Sequence, residues 1–327
     1  MNKSPDNHTR PPNLVFIDTS RPAVDETREV QASLGDQRPS LSPKFFYDSR
    51  GSELFEAITE LPEYYLTRAE AEIFELQLED IITTLGPVDV VIEPGGGSCS
   101  KVRVLLNPMQ PRAFVAIDIA GDFLQQAASE VARDWPELEV TAIAADFTRS
   151  WDFTNALPVG RRLVFYPGST LGNFDPEAQA SFLGQLASVA GSDGGILLGV
   201  DLHKDSNVLH AAYNDASGLT AAFNRNMLNV VNARTGADFR PDEWQHEARY
   251  NPTRRRIEMD LIASTRQAVT VGGREFIFES GDAIRTEHSC KFTLDDLQQL
   301  AASAQMVLNH HWLDSRGLFC LALLEPA

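Results

Sequence analysis

Apolar positions are sparse in the first part of the chain. Up to about Gln37 only LVFID, Leu14 to Asp18, resembles a short strand, and residues 1–13 read as a disordered lead-in. Helical spacing then sets in: Leu54, Phe55, Ile58 and Leu61 of GSELFEAITEL recur as one apolar stripe. Thr67 and Glu70 carry a capping-box pattern, which predicts that the next helix opens there and runs through Phe74 and Leu78. Beyond it, short apolar runs alternate with amphipathic segments. VDVVIEP, AFVAIDIA, VTAIAADF, RLVFYPG and GGILLGVDL, beginning at Val88, Ala113, Val140, Arg162 and Gly194, are the strand candidates. Runs this short and this apolar suit parallel strands covered on both faces. The helix before the last of them is punctuated by Asp175 at its cap, Pro176 in its first turn and Gly191 after its end.

After Asp201 the alternation stops. The pattern predicts one long helix from about Asn207 to Thr235, then antiparallel strands in RRIEMDLIAS and in QAVTV and REFIFES, with Gly272-Gly273 as the hairpin turn. A last helix over about Thr293 to Ala304 leads to an isolated terminal strand, GLFCLALLEP. These elements predict a doubly wound α/β core over 69–202 and 290–327, with a discontinuous α+β unit from 14–68 and 203–289.

Composition narrows the setting. The 327 residues are 43% hydrophobic, enough for a sizeable core, and no apolar run is long enough to cross a bilayer. Three dispersed cysteines, Cys99, Cys290 and Cys320, argue against a disulfide framework or a zinc site and point to a cytoplasmic location. A formal net charge of -18 argues against a nucleic-acid partner, since phosphate binding needs clustered Lys and Arg. The expected partner is a small molecule. Oligomeric state is left open, a monomer being compatible.

Candidate chemistry gathers at the strand ends. The first core strand runs into EPGGGSCSK, Glu93 to Lys101, where glycines allow a ligand to approach the backbone. The second ends in Asp118, an acceptor for ribose hydroxyls, and the third in Asp146-Phe147, a carboxylate and a ring suited to adenine. Both nicotinamide cofactors and S-adenosylmethionine carry adenosine. Ser100 stands where the dinucleotide motif has its third glycine, and no pyrophosphate clamp is evident, so the sulfonium cofactor is favoured.

Five further motifs, in order, carry a family resemblance. PKFFYDSRGSELFEAITELPEYYLTRAE (Pro43 to Glu70), YPGSTLGNF (Tyr166 to Phe174), YND (Tyr213 to Asp215), RRIEMDL (Arg255 to Leu261) and IRTEHSCKF (Ile284 to Phe292) resemble the histidine Nα-methyltransferases of ergothioneine biosynthesis. The resemblance covers most of the chain beyond about Gln37. It implies a class I methyltransferase-type, Rossmann-like sheet with a terminal antiparallel strand, and methylation of the α-amine of L-histidine up to N,N,N-trimethylhistidine. It also implies residue roles. The loop around Gly95, with Lys101, Asp118, Asp146 and Phe147, binds S-adenosylmethionine; Asn173 and Tyr213 bind the substrate carboxylate. Tyr64 lines the pocket, Tyr47 lies near the amine as the catalytic candidate, and Glu287 and Ser289 read the imidazole. Pro94, Ser100, His288 and Cys290 depart from the family's usual residues.

The residue types fit this chemistry. In-line methyl transfer needs positioning more than acid–base help, and a product without N–H is best met by aromatic faces. Phe55 is assigned to the core through its helical stripe. Glu287 and Ser289, two apart on an extended segment, share a face. The remaining histidines, His310-His311 and His203 with His210, show no ligand spacing with carboxylates, so no metal is expected, and TRRRIE reads as a solvated turn. Two other readings stay open: a relative acting on another amine such as a tryptophan derivative, and a non-catalytic module that binds adenosylmethionine or an amino acid.

Overall fold

The protein is described here by a computed structural model covering residues 11–19, 26–148, 151 and 153–327. Most of the expected lead-in, residues 1–10, lies outside the described residues. In chain order the first elements are β1 (Leu14–Asp18), α1 (Glu26–Leu34), α2 (Ser49–Thr59), α3 (Tyr65–Leu85), β2 (Val90–Pro94) and α4 (Arg103–Met109). Then come β3 (Ala113–Asp118), α5 (Gly121–Asp134), β4 (Glu139–Ala144), β5 (Arg162–Tyr166), α6 (Pro176–Ala190) and β6 (Gly195–Asp201). Next are α7 (Ser206–Tyr213), α8 (Leu219–Thr235), β7 (Trp244–Asn251), β8 (Arg256–Ala263), β9 (Gln267–Val271) and β10 (Arg274–Phe278). The chain closes with β11 (Ala283–Cys290), α9 (Leu294–Ser303), β12 (Met306–Leu313) and β13 (Phe319–Pro326).

Eight strands form the main sheet in the order β1-β4-β3-β2-β5-β6-β13-β12, parallel from β1 to β6 and antiparallel at β13 and β12. Alternation along each strand gives the sheet two apolar faces. Val91, Phe114, Phe165, Leu197 and Leu321 pack with the apolar sides of α3, α4 and α5. Val90, Val115, Val164, Ile196 and Ala322 face the other way, onto α6 and α9. The order reverses between β2 and β5, and a crevice at the carboxyl ends of strands beside such a switch is where open α/β sheets take their ligands.

The second layer holds the antiparallel sheet β11-β8-β7, the β9–β10 hairpin and the helices α2, α7 and α8. Gly272 and Gly273 make the hairpin turn with positive φ, as expected. Its buried residues, among them Phe45, Phe46, Met227, Trp244 and Ile257, belong to the same apolar cluster that covers one face of the main sheet.

Several expectations are corrected. Residues 14–18, grouped above with the second unit, pair with β4 as the edge of the main sheet. The helix expected to open at Thr67 starts at Tyr65, without a side-chain cap, and Glu70 is buried inside it. The single long helix over 207–235 is two, because the Asp215 carboxylate accepts the backbone N–H groups of Leu219 and Thr220 at 2.9 and 2.8 Å and starts α8 afresh. Strand β7 was not foreseen: WQHEARYN buries only Trp244 and Ala248 fully, so its polar residues hide the period. The terminal strand is not isolated, since β12, MVLNHHWL, pairs with it as an exposed edge. Finally, TRRRIE is not a solvated turn throughout: Arg256 is buried, holding Glu258 at 2.7 Å and Asp175 at 3.1 Å.

Candidate active site

The loop after β2 turns on Gly95 and Gly97, at φ 71° and 48°, conformations that glycine adopts without strain. Both Gly95 and Gly96 donate N–H groups to the Ile117 carbonyl, at 2.8 and 3.1 Å, which pins the loop to the end of β3. A Cβ on Gly95 would lie 3.4 Å from the Phe147 ring, so loop and ring face each other across a narrow gap. Asp118 accepts the N–H groups of Gly97 at 3.0 Å and Ala120 at 2.9 Å; burial nevertheless raises its carboxyl above the ordinary range, against the pull of those bonds. Asp146 is engaged by Thr148, whose hydroxyl lies 2.5 Å away.

Two carboxylates behind this loop carry more of the arrangement than the sequence suggested. Glu93 is buried at the end of β2, and its Oε2 has no hydrogen-bond partner. Burial pushes Glu93 well above the usual carboxyl range, opposed by Lys101. The Lys101 ammonium sits 2.6 Å from Glu70, whose other oxygen accepts the Gly168 N–H at 2.7 Å. Glu70 therefore ties α3, the β2 loop and the β5 loop together. An orphaned carboxylate oxygen, a glycine cradle and an aromatic face form a donor and acceptor set that fits S-adenosylmethionine, with its cationic sulfonium and ammonium groups and its adenosine.

Beside this end of the sheet lies a cavity lined by Tyr47, Tyr64, Asn173, Tyr213, Glu287 and Ser289. All six substrate-side candidates meet there. Tyr47 is carried by the turn before α2 and Tyr64 by the turn before α3; Asn173 belongs to the turn after β5, and Tyr213 ends α7. Glu287 and Ser289 follow a bulge in β11 at Thr286, which keeps both on the cavity side. Asn173 Nδ2 reaches Glu287 at 3.5 Å, and these two residues also border a larger cavity of about 930 Å³.

Aromatic rings wall the cavity. Phe55 lies 6.1 Å from Tyr47, 6.2 Å from Tyr64 and 5.9 Å from Phe223, centroid to centroid. The core assignment of Phe55 is thus incomplete, for it packs on the core and lines the cavity as well. Phe223 and Met259 also line it and were missed: Phe223 sits in an apolar stretch of α8 that reads as core, and Met259 lay unremarked within RRIEMDL. Burial, with the charges of Glu287 and Asp118 adding to it, raises the Tyr47 phenol far above its usual range. Tyr47 is a neutral phenol. Burial also pushes Glu287 up to about 7, with Lys291 opposing the rise.

Beneath the cavity floor runs a buried polar network. The Lys291 ammonium, with no exposed surface, lies 2.7 Å from Asp201, 3.0 Å from the Tyr213 hydroxyl and 2.9 Å from Ser289 Oγ. Tyr65 donates its hydroxyl to Asp201, and Lys204 pairs with the same carboxylate. Among the described residues, no cluster of His, Cys, Asp and Glu has the arrangement of a metal site, and no helix is long and apolar enough to cross a membrane.

Comparison with known proteins identifies the family. The model of a family described as histidine-specific, SAM-dependent methyltransferases matches residues 26–326. A histidine N-alpha-methyltransferase of Mycolicibacterium smegmatis is 42% identical over 318 residues, 95% of this chain and 97% of that protein. Ergothioneine biosynthesis protein 1 of Schizosaccharomyces pombe is 28% identical over 81% of this chain, a stretch that makes up 36% of that longer protein. Among solved structures, mitomycin 7-O-methyltransferase aligns with a TM-score of 0.50 at 10% identity, over 93% of this chain and 68% of that one, a likeness of fold alone. The sheet order, the glycine loop and the family match together place the chain in the histidine-specific, S-adenosylmethionine-dependent methyltransferase family.

Proposed function

We propose that this chain methylates the α-amine of L-histidine, up to the trimethylated product, as a step of ergothioneine biosynthesis. The observation that carries the reading is the single cavity in which Asn173, Tyr213, Glu287 and Ser289 meet an aromatic wall, beside the glycine loop. S-adenosylmethionine supplies an electrophilic methyl group on a sulfonium. Gly95, Asp118, Asp146, Phe147 and Lys101 would hold it, Asp118 through its carboxylate on the ribose and Phe147 through its ring on the base.

The remaining residues position the acceptor. Asn173 and Tyr213 take the carboxylate, while Glu287 and Ser289 take the two ring nitrogens. Tyr47 lines the same cavity as Glu287 and Asn173, which suits a place at the substrate amine. As a neutral phenol it orients the amine and does not take its proton. Holding reactants in line can lower a barrier by on the order of 7–11 kcal/mol, which makes positioning the main catalytic device. Tyr47, Phe55, Tyr64 and Phe223 offer ring faces to an ammonium that loses its N–H donors as methyl groups accumulate. The free thiols Cys99, Cys290 and Cys320 suit a cytoplasmic setting.

Mass spectrometry after incubation with S-adenosylmethionine and a panel of free amino acids tests the reading. Histidine gaining three methyl groups is the expected result. Preferential methylation of tryptophan derivatives, or transfer to no α-amine, would refute it.

A further inference from the structure

Glu70 is a carboxylate on the buried face of α3, and both of its oxygens are used. Oε2 lies 2.6 Å from the Lys101 ammonium, and Oε1 accepts the Gly168 N–H at 2.7 Å. The Glu70 side chain is 5% exposed and that of Lys101 38%, so the lysine meets the carboxylate on one side and stays open on another. The first contact reaches the end of the glycine loop. The second reaches the start of the segment that carries Asn173.

The fold makes room for this carboxylate. Gly199 stands inside β6, where glycine weakens a strand and marks the close approach of another group. A Cβ there would lie 2.5 Å from Glu70 Oε1 and 3.1 Å from the Gly168 nitrogen. From Gly168 onward the chain is held link by link. Ser169 donates its N–H to the Gly199 carbonyl at 3.1 Å and accepts the Asp201 N–H on its hydroxyl at 2.9 Å, and Thr170–Asn173 follow as one short helical turn. Gly168, Thr170 and Asn173 all line the substrate cavity. One carboxylate thus stands between a lysine of the cofactor loop and a wall of the substrate cavity.

We propose that Glu70 is a positioning residue that couples the two sites, so that cofactor and amino acid bind with positive cooperativity. This rests on the proposed roles of Lys101 in holding the cofactor and of Asn173 in holding the substrate carboxylate. A cofactor that engages the open side of Lys101 narrows the positions of its ammonium and, through the ion pair, those of Glu70 and the Gly168 peptide. The amino acid then meets an Asn173 that is already ordered, and it binds more tightly by that amount. Linkage makes the effect reciprocal.

Isothermal calorimetry of L-histidine, with and without saturating S-adenosylhomocysteine, measures the coupling in the absence of turnover. The wild-type protein should bind histidine about tenfold more tightly when the demethylated cofactor is present, a size ordinary for coupled sites. Equal affinities in the two titrations would overturn the proposal with no variant needed. Two variants break the tie in different ways. Glu70→Gln keeps the shape and turns an amide toward Lys101, whereas Gly199→Ala leaves every charge in place and puts a methyl group where the carboxylate sits. In either variant, checked for folding by circular dichroism, the ratio of the two affinities should fall below about twofold, whatever happens to each affinity alone. Coupling through direct contact between the two bound ligands would survive both substitutions, so a folded variant of either kind that keeps the wild-type ratio overturns the role of Glu70. Failure of the wild type to bind histidine at all would instead refute the substrate assignment, and this proposal with it.

Discussion

Replacing Glu287 by glutamine should make the free enzyme more stable while making it a poorer enzyme, and the gain should depend on pH. Glu287 lines two cavities, and burial pushes its carboxyl from the ordinary 4.5 to about 7. The folded chain therefore holds this proton more tightly than the unfolded chain does. Below pH about 4.5 both states are protonated and the site costs nothing. From there to about 7 the unfolded chain ionises first, and stability falls; above about 7 both are ionised and the full penalty applies. Fully converted, the rise corresponds to about 3 kcal/mol. Water reaching the cavities screens the charge, and about 1–2 kcal/mol is the figure to expect. Glu287→Gln removes the ionisation and keeps the shape. Urea unfolding without ligand should show the variant about 1–2 kcal/mol more stable than the parent at pH 8, and within about 0.5 kcal/mol of it at pH 5. An equal difference at both values would refute the reasoning, because a packing or hydrogen-bond effect of the amide carries no such pH dependence.

Four further outcomes follow from the same geometry. Glu287→Ala should lower kcat/KM for histidine about ten- to a hundredfold while leaving cofactor affinity nearly unchanged, and steady-state kinetics beside cofactor titration separates the two. Asp118→Ala should weaken S-adenosylmethionine binding by about 1–3 kcal/mol in calorimetry, and Gly95→Val should weaken it as well, since its side chain enters the gap to Phe147 from a backbone angle that only glycine accepts freely. Tyr47→Phe should keep the shape of the parent's kcat/KM profile between about pH 7 and 9, because a phenol held neutral contributes no ionisation there; loss of an alkaline limb would show that Tyr47 titrates. Arg256→Met should raise KM for histidine and cost about 1–3 kcal/mol in urea unfolding, since Arg256 holds Asp175, two residues beyond Asn173, while Glu258 keeps its pairing to Arg285.

What the sequence determined by itself was the chemistry of strand ends and motifs. Buried parallel strands announce themselves as short apolar runs, and the loops that follow them stand at one edge of the sheet whatever the helices do. For that reason Gly95, Asp118 and Phe147 are legible as one group from the sequence alone. Glu287 and Ser289 were legible as neighbours because a two-residue step keeps one face, although the bulge at Thr286 that aims them was not.

Tertiary structure decided the rest, and the reason is consistent. Glu70 and Arg256 carry local patterns of a helix cap and a basic turn, yet burial makes each of them a tie between distant segments. Phe55 and Phe223 have helical spacing that serves a core and a cavity wall equally well, and only the packing of α2 against α8 puts their rings beside Tyr47 and Tyr64. Strands β7 and β12 escaped notice because their exposed or half-buried polar residues interrupt the period. Lys291 is the clearest instance. In sequence it is one basic residue after a polar strand; in the fold it is a fully buried charge, satisfied by a carboxylate 90 positions earlier and facing two hydroxyls that no local pattern would bring together.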